Sequence, residues 1–174
     1  MSKLKTALLT AVALVLAAGV AHAQAGLNDL EIAHAAYTAD TIDIDYAKIA
    51  LAKTKNPEVR RFAELMIRDH TAVNEGAAAL LAKLKVQPKD NAFSQSLISG
   101  AAAKKAELNA LDGAAFDRAY AANELAYHQV VNKTLSETWI PTVQNGEVKA
   151  FLAQALVTFR VHEEHAGHMV GALK

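Results

Sequence analysis

The sequence predicts an all-α domain: a four-helix bundle with a long, partly helical crossover between helices two and three. Three observations carry that prediction. Alanine fills 38 of the 174 positions, against only 8 Gly and 3 Pro, a mix that favours helix over a turn-rich β sandwich. Four long segments carry apolar seams that advance in steps of three and four residues, the period of one helix face. Finally, the stretch from Val86 to Asp112 is far longer than a hairpin between neighbouring helices needs.

In chain order, the first segment is an address rather than a bundle element. Lys3 and Lys5 precede an almost unbroken apolar run from Thr6 to Val20, and Ala21-His22-Ala23 supplies small residues at the two positions a signal peptidase reads. Residues 1–23 are therefore expected to be a secretory signal peptide and 24–174 the bundle domain, with cleavage after Ala25 as a near rival. The apolar run is too short for a good membrane anchor, and no later stretch reaches about 18 apolar residues. The expected location is the periplasm, with outer-membrane association as a variant. An exported chain without cysteine draws its stability from packing rather than disulfides.

Asn28 or Asp29 caps a first helix reaching about Lys53, with the seam Ile32, Ala35, Ala39, Ile42, Tyr46, Ile49. Asn56-Pro57-Glu58 restarts a helix with a capping side chain, a first-turn proline and an acid near the positive helix end. Its seam is Val59, Ala63, Met66, His70, Val73, Ala77, Leu80, Leu84; Gly76 weakens it by about 1 kcal/mol relative to alanine without ending it. Phe93 to Leu111 reads as helix interrupted near Gly100, and about 19 residues at 1.5 Å each travel roughly 28 Å, the length of the bundle. Such a crossover after a helical hairpin is the ferritin-like connection. Asp112-Gly113 opens a third long helix that Ile140-Pro141 closes after Trp139. Asn145-Gly146-Glu147 opens the last, with Val148, Leu152, Ala155, Phe159, His162, Ala166, Met169 and Leu173 in its seam, and Gly167 and Gly171 predict a frayed end.

Charge and motifs exclude several functions. Lys+Arg and Asp+Glu balance at 18 each, which removes the electrostatic case for nucleic acid. There is no Gly-rich phosphate loop, no G-x-S-x-G and no thiol nucleophile. What stands out is ionisable residues inside the seams. His70 and His162 occupy seam positions, Glu124 and His128 share a face one turn apart, and Asp40 and Asp43 flank the seam of the first helix. All lie near the midpoints of their helices, which packed helices of similar length bring to one height. Imidazole and carboxylate in a bundle core suit Zn, Fe, Mn or Cu. The predicted metal ligands are Asp43, His70, Glu124, His128 and His162, with Asp40, Asp69 and His165 as further candidates. The competing expectation is a metal-free hydrogen-bonded network closed by Tyr46, Tyr120 and Tyr127. His165 and His168 lie at chelating spacing from His162, yet only His162 is in the seam, so the other two are expected on a solvated face.

From Asn56-Pro57-Glu58-Val59-Arg60 through Asp69-His70-Thr71, Phe116-Asp117-Arg118-Ala119-Tyr120 with His128, and Lys149-Ala150-Phe151 with His162, the chain resembles a ferritin-like family of bacterial envelope proteins. These carry a domain of unknown function and are commonly labelled outer-membrane proteins. The resemblance spans about Asp29 to Leu173 and implies the fold and export. The family's histidines map onto His70, His128 and His162, and its acidic pair on the first helix onto Asp43 and Asp45. Val157 stands where a proline is common, which removes the reason for a kink there. The resemblance implies no reaction. A di-iron ferritin site is disfavoured because Glu-x-x-His is missing: Ile67 and Phe159 precede His70 and His162 at that spacing, and Glu124 is four before His128. The expected protein is thus a metal-binding bundle rather than an enzyme. Its alternatives are a metal-free envelope scaffold or stress-related interaction protein with an envelope protein as partner, and an enzyme using His128 as general base beside Glu124.

Overall fold

The computed structural model describes residues 26–173, and among them it contains helices and no strand. Residues 1–23, expected to be the signal peptide, lie outside that range. Each helix begins where a side chain takes up its free N–H groups. Helix α1, Asp29–Lys53, starts in a capping box: the Asn28 side chain accepts from Leu30 and Glu31, and Glu31 accepts in return from the Asn28 backbone N–H at 3.1 Å. Helix α2, Pro57–Leu84, starts at Asn56 and stops at Lys85, a non-glycine residue at φ 56°. Asn91 caps α3, Ala92–Asn109. Helix α4, Gly113–Thr134, continues through a π-helical turn, Leu135–Trp139, and a last turn, Ile140–Thr142. Asn145 caps α5, Gly146–Ala172.

Three local expectations change. Helix α3 runs through Gly100 without interruption; the residue is exposed with open space around it, so glycine there costs some helix propensity and no contact. Helix α5 runs through Gly167 and Gly171 as regular helix, because Ala166 just before them and Met169 between them are buried and hold that turn on the core. The third long helix reaches Thr142, just past the expected closure at Ile140-Pro141, and widens into the π turn over Leu135–Trp139 on the way. Pro141, lacking an N–H and clashing with the carbonyl four residues back, opposes a regular α turn at that point.

Hydrogen bonds between elements set the directions. Lys89 N–H donates to Leu30 O at 3.0 Å and Asn91 Nδ2 to Glu31 O at 3.0 Å, so the end of α2 meets the start of α1. Lys105 Nζ reaches Asp45 Oδ2 at 3.0 Å and Lys53 Nζ reaches Asn109 O at 2.9 Å, so α3 runs beside α1 in the same direction and delivers the chain to its far end. Helix α4 returns, with Tyr127 Oη donating to Ala39 O at 2.9 Å. The loop before α5 closes on Asp29, whose carboxylate accepts from Gln144 N at 3.0 Å and Asn145 N at 2.7 Å. Around the core the order is α1, α2, α5, α4, each antiparallel to its neighbours, with α3 outside against α1.

The core divides into two apolar clusters. One, near the end of α1, contains Ile42, Tyr46, Met66, Phe116, Tyr120 and Met169. The other, near the start of α1, contains Ile32, Phe93, Leu135, Trp139, Leu152 and Phe159. Between them lies a layer of buried ionisable groups. No helix among the described residues is long and apolar enough to cross a membrane.

Candidate metal centre

The layer is built by one or two positions on each of four helices. Asp40 and Asp43, one turn apart on α1, His70 on α2, Glu124 and His128 on α4 and His162 on α5 are all buried. Desolvating isolated ionisable groups is costly, so each needs a partner. The three imidazoles form a nearly regular triangle, with ring centroids 5.6 Å apart for His70–His128 and 5.3 Å for each distance to His162.

Every ring has one nitrogen engaged with an oxygen and one left over. His70 Nδ1 is 2.9 Å from Asp40 Oδ1, His128 Nδ1 is 3.0 Å from the Glu124 backbone O, and His162 Nε2 is 3.0 Å from Asp69 Oδ2. Carboxylates and carbonyls accept, so those nitrogens donate. The opposite nitrogens, His70 Nε2, His128 Nε2 and His162 Nδ1, are buried without a hydrogen-bond partner, as are both oxygens of Asp43 and Glu124 Oε2. Asp43 Oδ2 sits 3.5 Å from His70 Nε2 and 3.6 Å from His128 Nε2, outside good hydrogen-bond distance.

This is the donor set a transition metal uses: neutral imidazole nitrogen, with the other ring N–H tied to a carboxylate or carbonyl that fixes the tautomer. The ligand atoms of the three histidines lie within 4.8 Å of one another, and so do those of Asp43, Glu124 and His128. Two nitrogens each about 2.1 Å from one ion are at most about 4.2 Å apart, so small side-chain movements suffice to close the set.

Electrostatics separates the three rings. Burial lowers His70, but Asp43 and Asp40 outweigh it and raise its pKa to about 9. Burial dominates at His162, pulling it down to about 4 despite the hydrogen bond to Asp69. Burial also lowers His128, against the opposing charge of Asp43. Glu124 is pushed well up by burial and by Asp43. At neutral pH and without metal, the layer thus keeps a proton on His70 and two neutral rings beside it.

Several residues fall in other roles than ligand. Asp40 and Asp69 orient His70 and His162. Asp45 pairs with Lys105 on the flank. His165 and His168 are exposed and line a surface groove with Glu64 and Arg68, because their helix positions point them off the seam, so the fold does not bring His165 to the three buried rings. Among the tyrosines, Tyr127 bonds Ala39 O, whereas Tyr120 Oη is buried and unpartnered. Sequence reasoning missed two supports. The Phe159 ring stacks on His70 at a centroid distance of 4.7 Å, and Asn132 Nδ2 bridges to Phe159 O at 3.2 Å and Glu163 Oε2 at 2.7 Å, tying α4 to α5 beside the centre. The i, i+3 spacing of Phe159 and His162 was the available signal for the first. For the second there was none beyond an asparagine at a seam-adjacent position. An apolar cavity below the layer has Asp40 and Phe159 in its wall but neither His128 nor Glu124, which leaves the general-base reading of His128 without an approach from that side.

Comparison with known proteins adds three findings. A family model described as a domain of unknown function, DUF4142, matches residues 16–169. No curated protein matches the chain. A solved structure described as CopM in the Cu(II)-bound form is similar in fold, with a TM-score of 0.64 at 13% identity, over 85% of this chain and 99% of that one.

Proposed function

This chain belongs to the DUF4142 family, a domain of unknown function, and from that premise we propose that it is an exported, ferritin-like four-helix-bundle protein that binds a transition-metal ion in mid-bundle. The observation that carries the reading is the set of orphaned nitrogens, His70 Nε2, His128 Nε2 and His162 Nδ1, each on a ring whose other nitrogen is already held. Asp43 is the carboxylate ligand nearest to them, and Glu124 stands behind it. The ferritin-like assignment is supported by α3 running parallel to α1 between two antiparallel helix pairs. Export to the periplasm rests on the charged, apolar and small-residue pattern of residues 1–23.

Imidazole-rich donor sets suit Cu(II) and Zn(II) best among the common ions, and the Cu(II)-bound form of the structural neighbour makes Cu(II) the first ion to test. Bound there, the ion would supply its positive charge to the buried carboxylates; the protein's part is to hold three rings in one tautomer each and to exclude water. Electron paramagnetic resonance of the Cu(II)-loaded protein checks this. Hyperfine structure from imidazole nitrogens is expected in the wild type, weakened in His128→Ala and in His162→Ala. A spectrum unchanged in both folded variants would remove the reading.

A second reading is favoured by a specific observation. His70 lies between Asp40 and Asp43 and, raised to about 9, forms its own ion pair, so the layer is partly self-satisfied. On that reading the chain is a metal-free envelope scaffold or stress-related interaction protein, and the histidine variants lose stability but bind no less metal than the wild type.

A further inference from the structure

On the side of the polar layer toward the start of α1, a cavity of about 90 Å³ runs between α1, α2, α4 and α5, with α3 at its edge. Small residues create it: α1 contributes Ala33 and Ala36 and α2 contributes Ala77, where longer side chains would fill the space. Leu80, Leu152 and Trp139 complete much of its wall. At one end the wall is Asp40 and Phe159, each in contact with the His70 ring from its other side. Two wall residues, Tyr37 on α1 and Val130 on α4, are also 47% and 66% exposed, so the seam between those helices connects the cavity to solvent.

The chemistry of the wall decides what it can hold. Asp40 is bonded to His70, and Tyr127 donates to Ala39 O. Among the described wall residues, Trp139 Nε1 is the buried side-chain polar atom without a partner. A water molecule needs two to four polar partners, so this space disfavours water, whereas an apolar cavity of about 150 Å³ takes up benzene or xenon. We infer that the cavity binds a small, uncharged, apolar molecule, no larger than a halogenated methane, which enters between Tyr37 and Val130 and rests against Asp40 and Phe159. The inference does not depend on the metal, although it places such a molecule one side chain away from the histidine triangle.

The wall contains its own reporter. Trp139 is the single tryptophan of the chain and is 3% exposed. Titration with chloroform, an uncharged quencher of indole, should quench its fluorescence saturably at one site, in metal-free and Zn(II)-loaded protein alike, while iodide ion quenches little. Ala36→Leu and Ala77→Leu, which fill the cavity, should weaken the chloroform response at least tenfold with helicity unchanged by circular dichroism. Leu80→Ala, which enlarges it, should keep the response saturable and shift its midpoint. Linear, unsaturable quenching in the wild type would overturn the inference. So would a midpoint that stays put in the folded filled variants or, if neither folds, in Leu80→Ala.

Discussion

His70 is where the chemistry of the layer is most constrained. Its Nδ1 is held by Asp40, its Nε2 looks onto Asp43 across 3.5 Å, and its face is stacked on Phe159. With its pKa raised to about 9, the ring carries a proton at neutral pH that a metal must displace. Binding at pH 7.5 should therefore release about one proton per ion, and affinity should rise about tenfold per pH unit between about 6.5 and 9. Calorimetry in buffers of different ionisation enthalpy measures both. The sign for the metal-free protein is opposite: a histidine raised on folding stabilises fully below about 6.5 and loses that contribution as pH rises through about 9. The stability deficit of metal-free His70→Gln should accordingly be largest near pH 6 and smaller at pH 9.5 in urea titrations. At this scale the sequence was legible in position but not in orientation. Seam spacing put His70, His128 and His162 inside and His165 outside. It set Asp43 among the ligands and Asp40 among the further candidates without saying which oxygen meets which ring nitrogen, because that depends on rotamers and interhelical distance that periodicity does not contain.

Helix ends were the most legible elements, because capping is local chemistry. Asn28, Asn56 and Asn145 each accept from the N–H groups two and three residues on, as their type and place before a helical run imply. The π turn was not legible, since it arises from Pro141 acting on a helix that Leu135 and Trp139 otherwise hold in the core. Nor was the role of Gly76, where a Cβ would stand 2.9 Å from the Phe151 ring; that contact crosses from α2 to α5 and exists only in the packed bundle. Lys85 supplies a test. It ends α2 at φ 56°, a left-handed conformation that disfavours a side chain by about 1 kcal/mol and suits glycine. Lys85→Gly should raise unfolding free energy by about 0.5–1 kcal/mol in denaturant titration, with metal content unchanged.

Across the whole molecule, the long connection was the decisive sequence feature. As its length implied, α3 runs beside α1 from Glu31 to Lys53, and a polar layer separates two apolar clusters. The apolar cavity escaped sequence reading because Ala77 looks like an ordinary seam residue, and Ala33 and Ala36 like residues beside a seam, until the facing helices are in place. A protein processed as proposed should begin at Gln24 or Gly26, read by intact-mass spectrometry of material from the native envelope; a chain beginning at or next to Met1 would mean an anchored protein. Metal binding to the folded state alone should also stabilise it, by about 2.7 kcal/mol at one hundred times the dissociation constant. The central claim is occupancy itself. Elemental analysis of untagged, folded protein after exposure to Cu(II) or Zn(II) and desalting should find about one equivalent in the wild type, and far less when His70, His128 and His162 are replaced together. Less than about a tenth of an equivalent of every transition metal in the folded wild type would contradict it.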